Sequence, residues 1–174
     1  KTPSQITKSL EELGIVISYQ DTSEAIPAEF KTLEKTLVVY TPAVPKAHKA
    51  YQFYLTEGFQ IKKRAEVLGW LTQEKFCLAV AGTHGKTTTS AMLGHLMAFC
   101  KLPVTAFLGG IAENYQSNLI QQGEEIVVVE ADEFDRSFMQ LYPNIAAITS
   151  MDADHLDIYG DAEALQKSFR DFAA

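Results

Sequence analysis

Apolar positions along this chain follow two alternating periods. Ile6, Leu10 and Leu13 lie four and three residues apart behind Pro3-Ser4, and Gly14 follows. That spacing predicts a short helix with Ser4 as its N-cap. Ile15 to Tyr19 then reads as a strand, and Leu37 to Tyr40 as a second strand stopped by Thr41-Pro42. Ala47 to Glu57 carries Ala47, Tyr51, Tyr54 and Leu55 on one side, a helix that Gly58 would end, and Phe59 to Lys62 follows as a short strand. Helix, glycine, strand thus occurs twice, at Leu13-Gly14-Ile15 and at Glu57-Gly58-Phe59. This alternation predicts an α/β protein with a parallel, Rossmann-like sheet. The strand and glycine-rich turn that usually open such a unit are missing from the pattern. The chain also begins at Lys1 without Met, so it is expected to be part of a longer protein with an incomplete first domain.

The second half repeats the alternation with longer apolar runs. Arg64 to Leu71 predicts a helix linking two sheets, with Trp70 and Leu71 packed at the junction. Phe76 to Val80 predicts a strand, and Thr88 to Cys100 a helix whose stripe Leu93, Leu96, Met97 and Cys100 belongs to the core. Gly94 inside that helix implies close packing, because glycine there costs about 1 kcal/mol against alanine; His95 reads as a surface residue. Val104 to Leu108 is a strand expected to end in a Gly109-Gly110 loop. Glu125 to Glu130 is apolar almost throughout, as expected of a central parallel strand buried on both faces. Ile145 to Ser150 is another strand, and Asp161 caps a last helix with Leu165, Phe169 and Phe172 inward. The expected domains are 1–70, Rossmann-like, and 71–174, the start of a P-loop ATPase-like parallel-sheet domain.

The candidate chemistry sits where these strands end. Between the strand at Phe76 and the helix from Thr88 lies Gly82-Thr83-His84-Gly85-Lys86-Thr87. A strand, a glycine-rich turn, Lys-Thr and a helix make a phosphate-binding loop. Glycines let backbone N–H groups approach phosphate, and the helix N-terminus adds partial positive charge. Lys86 would neutralise phosphate oxygens and the Thr87 hydroxyl would reach a magnesium ion. The usual first glycine would fall at Val80; here it is Gly82. The strand at Ile126 ends on Glu130, Asp132, Glu133 and Asp135. Ligands of open α/β sheets bind at the carboxyl ends of strands, so Glu130 is a candidate metal ligand. The bland alternative is that Asp132 or Asp135 caps a helix starting near Arg136. Beyond Ser150, His155 stands among Asp152, Asp154 and Asp157. Magnesium prefers oxygen donors, which leaves the role of His155 open on the residues alone.

Composition narrows the function classes. The chain has 174 residues, is 47% hydrophobic and 21% charged, and carries a net charge of -7. It can bury a core, and it lacks the clustered basic charge that grips nucleic acid. No apolar run reaches about 18 residues, so no membrane insertion is expected. Cys77 and Cys100 lie in apolar contexts, and both are expected to be buried thiols in a reducing cytoplasm.

Three stretches together, Gly82 to Thr89, Glu130-Ala131-Asp132-Glu133-Phe134-Asp135-Arg136-Ser137-Phe138, and Asp152-Ala153-Asp154-His155-Leu156-Asp157, resemble the Mur ligases, ATP-dependent amide-forming enzymes of peptidoglycan synthesis. The resemblance implies a UDP-sugar domain, an ATP domain and an amino-acid domain, of which this chain would hold most of the first and the start of the second. It implies that Gly82, Thr83, His84, Gly85, Lys86, Thr87 and Thr88 bind ATP, that Lys86, Glu130 and His155 are catalytic, and that Thr87, Glu130 and His155 hold two Mg²⁺ ions. Thr41, Pro42 and His84 match positions near the UDP-sugar. His84 and the Asp-His-Leu-Asp stretch point to the family members that take UDP-N-acetylmuramate and L-alanine. A murein-peptide recycling ligase is the alternative within the family, and a P-loop regulator without acyl chemistry the alternative outside it. The 174 residues alone are expected to be inactive.

Overall fold

The computed structural model describes residues 3–154 and 156–174. The chain divides into two compact units, Lys1–Arg64 and Ala65–Ala174, where the apolar pattern set the boundary at 70/71.

In the first unit, α1 (Gln5–Glu12) is fixed at its start by a reciprocal cap. Ser4 Oγ accepts the Thr7 N–H at 3.2 Å, and Thr7 Oγ1 accepts the Ser4 N–H at 2.8 Å. Gly14 (φ +83) turns the chain away, as anticipated. Ile15 to Tyr19 is not a strand. Its apolar residues have no neighbouring strand among the described residues to take their N–H and C=O groups, and Ile15 and Val16 are exposed. β1 (Leu37–Tyr40) and β2 (Gln60–Lys63) pair in parallel, with α2 (Lys49–Thr56) as the crossover. Aromatic side chains cement this unit: the Tyr51 ring lies 5.2 Å from Tyr40, and the Tyr54 ring 5.0 Å from Phe59.

The second unit opens with α3 (Arg64–Gln73). Its buried residues are Gly69 and Thr72, while Trp70 and Leu71 are each 43% exposed. Gly69 is required because a Cβ would collide with the Gln140 carbonyl. Among the described residues a five-stranded sheet follows, ordered β5-β4-β6-β3-β7: β3 (Phe76–Ala81), β4 (Val104–Ala112), β5 (Ser117–Gln121), β6 (Ile126–Glu130) and β7 (Ile145–Ile148). All neighbours are parallel except β4 and β5. β4 includes Gly109 and Gly110, which the sequence pattern assigned to a loop, but its register with β5 shifts between Phe107 and Ala112. The antiparallel partner β5, absent from the pattern, pairs with β4 on either side of the glycines, at Phe107 and at Ala112.

The pleat sorts the apolar runs into two cores. Cys77, Ala79, Ala81, Val127 and Val129 point to one face, where they meet Phe138, Leu165, Phe169 and Phe172. Leu78, Val104, Ala106 and Val128 point to the other, against α4 (Lys86–Phe99). Helices therefore cover both faces, the doubly wound α/β arrangement. α6 (Ala162–Ala173) is capped by Asp161, whose Oδ1 accepts the Ala164 N–H at 2.8 Å, and it buries the anticipated Leu165, Phe169 and Phe172. Phe138 stacks on Phe172 at 4.8 Å.

On α4 the buried line is Ser90, Gly94 and Ala98, flanked by Leu93 and Met97. Leu96 and Cys100 are exposed, contrary to the expected stripe. The helix seats on its small residues: a Cβ on Gly94 would stand 2.7 Å from the Ala106 Cβ. That close approach rotates the larger side chains toward the flanks. Cys77 is fully buried, and burial pushes its thiol up to about 11. No helix among the described residues is long and apolar enough to cross a membrane.

Candidate functional site

Parallel neighbours β6, β3 and β7 bring three chain segments to one edge of the sheet. Val80 lies opposite Glu130, and Ala81 opposite Ile148. The loop after β3, the acidic end of β6 and the polar end of β7 therefore meet at the carboxyl edge, where open α/β sheets bind ligands. Val80 is a buried strand residue, so the turn starts two positions later than in the general motif, at Gly82.

That turn needs its glycines. Gly82 takes φ +127, and a Cβ there would stand 2.8 Å from the Ser150 nitrogen. Gly85 (φ +81) is the N-cap of α4 and reverses the chain into the helix. Hydroxyls from the end of β7 hold the loop between them. Ser150 Oγ accepts the His84 N–H at 2.9 Å and lies 2.7 Å from Thr83 Oγ1, which accepts the Asp152 N–H at 3.1 Å. Thr149 Oγ1 donates to the carbonyls of Ala81 and His84. The loop is thus shaped before any ligand arrives.

A cleft of about 340 Å³ opens beside it, lined by Thr83, His84, Gly85, Lys86, Thr87, Thr88 and Glu130. All the anticipated loop residues after Gly82, and Glu130 with them, come together here. Thr87 Oγ1 donates to Glu130 Oε1 at 2.9 Å, and Glu130 Oε2 accepts the Gly109 N–H at 2.8 Å. A Cβ on Gly109 would crowd the Glu130 carboxylate, which would have to turn aside. Lys86 folds back over its own loop: Nζ donates to the Gly82 carbonyl at 2.7 Å and to Glu133 Oε1 at 2.9 Å, with Oε2 at 2.8 Å. Glu133 is 0% exposed and Lys86 14%. His84 is exposed, with Nε2 3.9 Å from Asp152 Oδ2.

His155, the third expected metal residue, lies outside the described residues. Thr41 and Pro42 follow β1 in the first unit, where the Thr41 carbonyl accepts the Val44 N–H at 3.0 Å in a turn. The acidic segment does not start an α-helix at Arg136. Phe134–Gln140 is a 3₁₀ stretch, and Arg136 adopts φ +54, which a continuous helix excludes. Asp132 does not cap that stretch, whose N-cap is Glu133 with no side-chain cap bond; Asp132 Oδ1 accepts the Phe134 N–H at 3.1 Å as a local turn contact. Sequence reasoning gave no role to Glu133, Thr149 or Ser150. The signal for the hydroxyls was two of them in succession just past an apolar strand.

Residues 80–174 match the family model described as the Mur ligase middle domain. The chain is 60% identical to the UDP-N-acetylmuramate–L-alanine ligase of Christiangramia forsetii, over 100% of this chain and 39% of that protein. It therefore spans about two fifths of the length of the curated relatives it matches. Among solved structures, the UDP-N-acetylmuramate-alanine ligase MurC of Thermotoga maritima superposes with a TM-score of 0.83 at 30% identity, covering 98% of this chain and 39% of that one. A UDP-N-acetylmuramate:L-alanyl-gamma-D-glutamyl-meso-diaminopimelate ligase from Neisseria meningitides reaches the same TM-score at 24% identity, over 100% of this chain and 59% of that one, a likeness of fold. The family model covers more than half of the chain and coincides with the sheet that builds the cleft, so the chain belongs to the Mur ligase family.

Proposed function

We propose that this chain is part of an ATP-dependent ligase that joins L-alanine to UDP-N-acetylmuramate through an acyl phosphate. The observation that carries the reading is a preshaped phosphate loop facing Glu130, in a chain 60% identical over its full length to a curated ligase of that name. Residues of the second unit would hold the ATP phosphates, and the first unit, with Thr41 and Pro42, would serve the UDP-sugar, as would His84.

In the first step a carboxylate oxygen of UDP-N-acetylmuramate attacks the γ-phosphorus. The new O–P bond forms as the bond to the β-phosphate oxygen breaks, releasing ADP. In the second step the L-alanine amine attacks the acyl carbon, and inorganic phosphate leaves with its electron pair. The first step brings two anions together, so neutralisation of charge is the main demand. The loop N–H groups at the start of α4 and the Lys86 ammonium supply it from the protein. Thr87 and Glu130 offer only oxygen donors, a set that suits magnesium, and with His155 they would hold two ions. Magnesium there would add positive charge opposite the phosphates.

The test is phosphate release by the full-length protein. Turnover should require UDP-N-acetylmuramate and L-alanine together. Turnover supported by a preformed peptide instead of L-alanine would favour a recycling ligase. ATP hydrolysis indifferent to both acceptors would replace the ligase reading with a nucleotide-driven regulator.

A further inference from the structure

We infer that Glu133 is a positioning residue that holds Lys86 in place and, by neutralising it, lowers the resting affinity of the loop for nucleotide. Three observations converge on it. The Glu133 carboxylate is 0% exposed, and both its oxygens lie within 2.9 Å of Lys86 Nζ. Its backbone is pinned: the Glu133 carbonyl accepts the Tyr159 O–H at 2.6 Å and the Arg136 N–H at 2.9 Å, and the Arg136 guanidinium lies over the Tyr159 ring at 5.3 Å. Lys86 is tied at a second point by the Gly82 carbonyl at 2.7 Å. An ammonium has three N–H donors. Two are satisfied by groups behind the loop, which leaves one for a ligand in the cleft.

The arrangement has two opposed consequences. Lys86 is held by fixed partners, so a ligand need not order its long side chain. At the same time a buried carboxylate cancels much of the charge that a polyphosphate would feel. Glu133 thus exchanges ground-state attraction for placement. This inference rests on the proposed nucleotide-binding role of the loop.

The experiment compares the full-length protein with Glu133→Gln, which keeps shape and one acceptor but removes the charge. The readouts are the Kd for ADP with magnesium, by calorimetry, and the steady-state constants. ADP is expected to bind about tenfold tighter, roughly 1.4 kcal/mol, while kcat and KM for ATP both fall, the pattern of a lost ground-state penalty. In a Lys86→Met background the same Glu133 change should shift the ADP Kd by clearly less than in the parent, because part of its effect runs through the ammonium. A merely structural carboxylate would lower stability equally in both backgrounds without that dependence. ADP affinity that is unchanged or weaker in a folded Glu133→Gln protein overturns the inference. If that variant does not fold, Glu133→Asp, which keeps the charge and shortens the reach, should show a smaller change in the same direction, and no change overturns it. Failure of the parent protein to bind ADP would instead overturn the nucleotide-binding reading, and this inference with it.

Discussion

Lys86 joins a structural role to the chemical one proposed for it. Its ammonium is the counterion of a carboxylate with no exposed surface. Lys86→Ala would leave that carboxylate buried without its cation, a change that typically costs 3–5 kcal/mol. The same change removes a charge-stabilising donor from the proposed phosphoryl transfer, commonly about 10²–10³ in kcat. Both losses are expected in the full-length protein: a lower melting temperature, and phosphate release near background. Lys86→Ala/Glu133→Gln separates them, because it removes both charges. Its melting temperature should recover most of the loss while turnover stays near background. Recovered turnover in the double variant would show that Lys86 acts only on stability. Glu130 differs from Glu133 in kind. It is partly exposed at the cleft and bonded to neutral donors, the Thr87 hydroxyl and the Gly109 N–H, so it can turn to a cation without orphaning a buried partner.

At the scale of elements, sequence pattern served best where a single element decides its own fate. The Ser4 cap, the Asp161 cap and the long apolar runs of β3 and β6 were all legible, because local chemistry and burial on both faces leave few alternatives. The pattern failed where a partner element decides. Ile15 to Tyr19 has strand-like residues and no strand beside it. Gly109 and Gly110 look like a loop, yet they fall inside β4, where pairing with β5 on either side carries the strand through an irregular stretch. Leu96 and Cys100 were assigned to the core by period alone, while the real contact is set by the smallest side chains on α4. That Glu130 would meet the loop was readable, because parallel strands place their carboxyl ends together. The Lys86–Glu133 pair was not, since it depends on the 3₁₀ turn and on Tyr159 holding the Glu133 backbone. Gly94 gives this scale its test. Gly94→Ala would gain about 1 kcal/mol of helix propensity, yet its Cβ would stand 2.7 Å from the Ala106 Cβ. Overpacking usually costs about 1–3 kcal/mol, so the clash should prevail, and Gly94→Val should lose more than Gly94→Ala. Urea midpoints should fall in that order. A midpoint for Gly94→Ala at or above the parent's would mean that α4 shifts off the sheet without penalty.

At the scale of the whole molecule, the cleft has the chemistry to recognise phosphate and little else. Its lining consists of backbone N–H groups, one ammonium, hydroxyls, a carboxylate and the exposed His84 ring. Every fixed contact that shapes it, from Ser150, Thr149 and Glu133, bears on the loop itself. Among the described lining residues the exposed His84 ring is the one flat surface on which a base could stack. The 174-residue chain should therefore bind ADP and GDP with magnesium about equally, within about threefold, roughly 0.65 kcal/mol. Inorganic tripolyphosphate should compete with both. On the proposed ligase reading, the full-length protein should prefer ADP clearly. The comparison is made by competition against one labelled nucleotide, on the chain and on the full-length protein in parallel. A strong preference for ADP by the 174-residue chain would place base recognition within these residues and enlarge the site beyond the phosphate loop. Equal binding by the chain, with discrimination in the full-length protein, would divide the labour as the cleft's chemistry requires: phosphate held here, and base read by residues outside this chain.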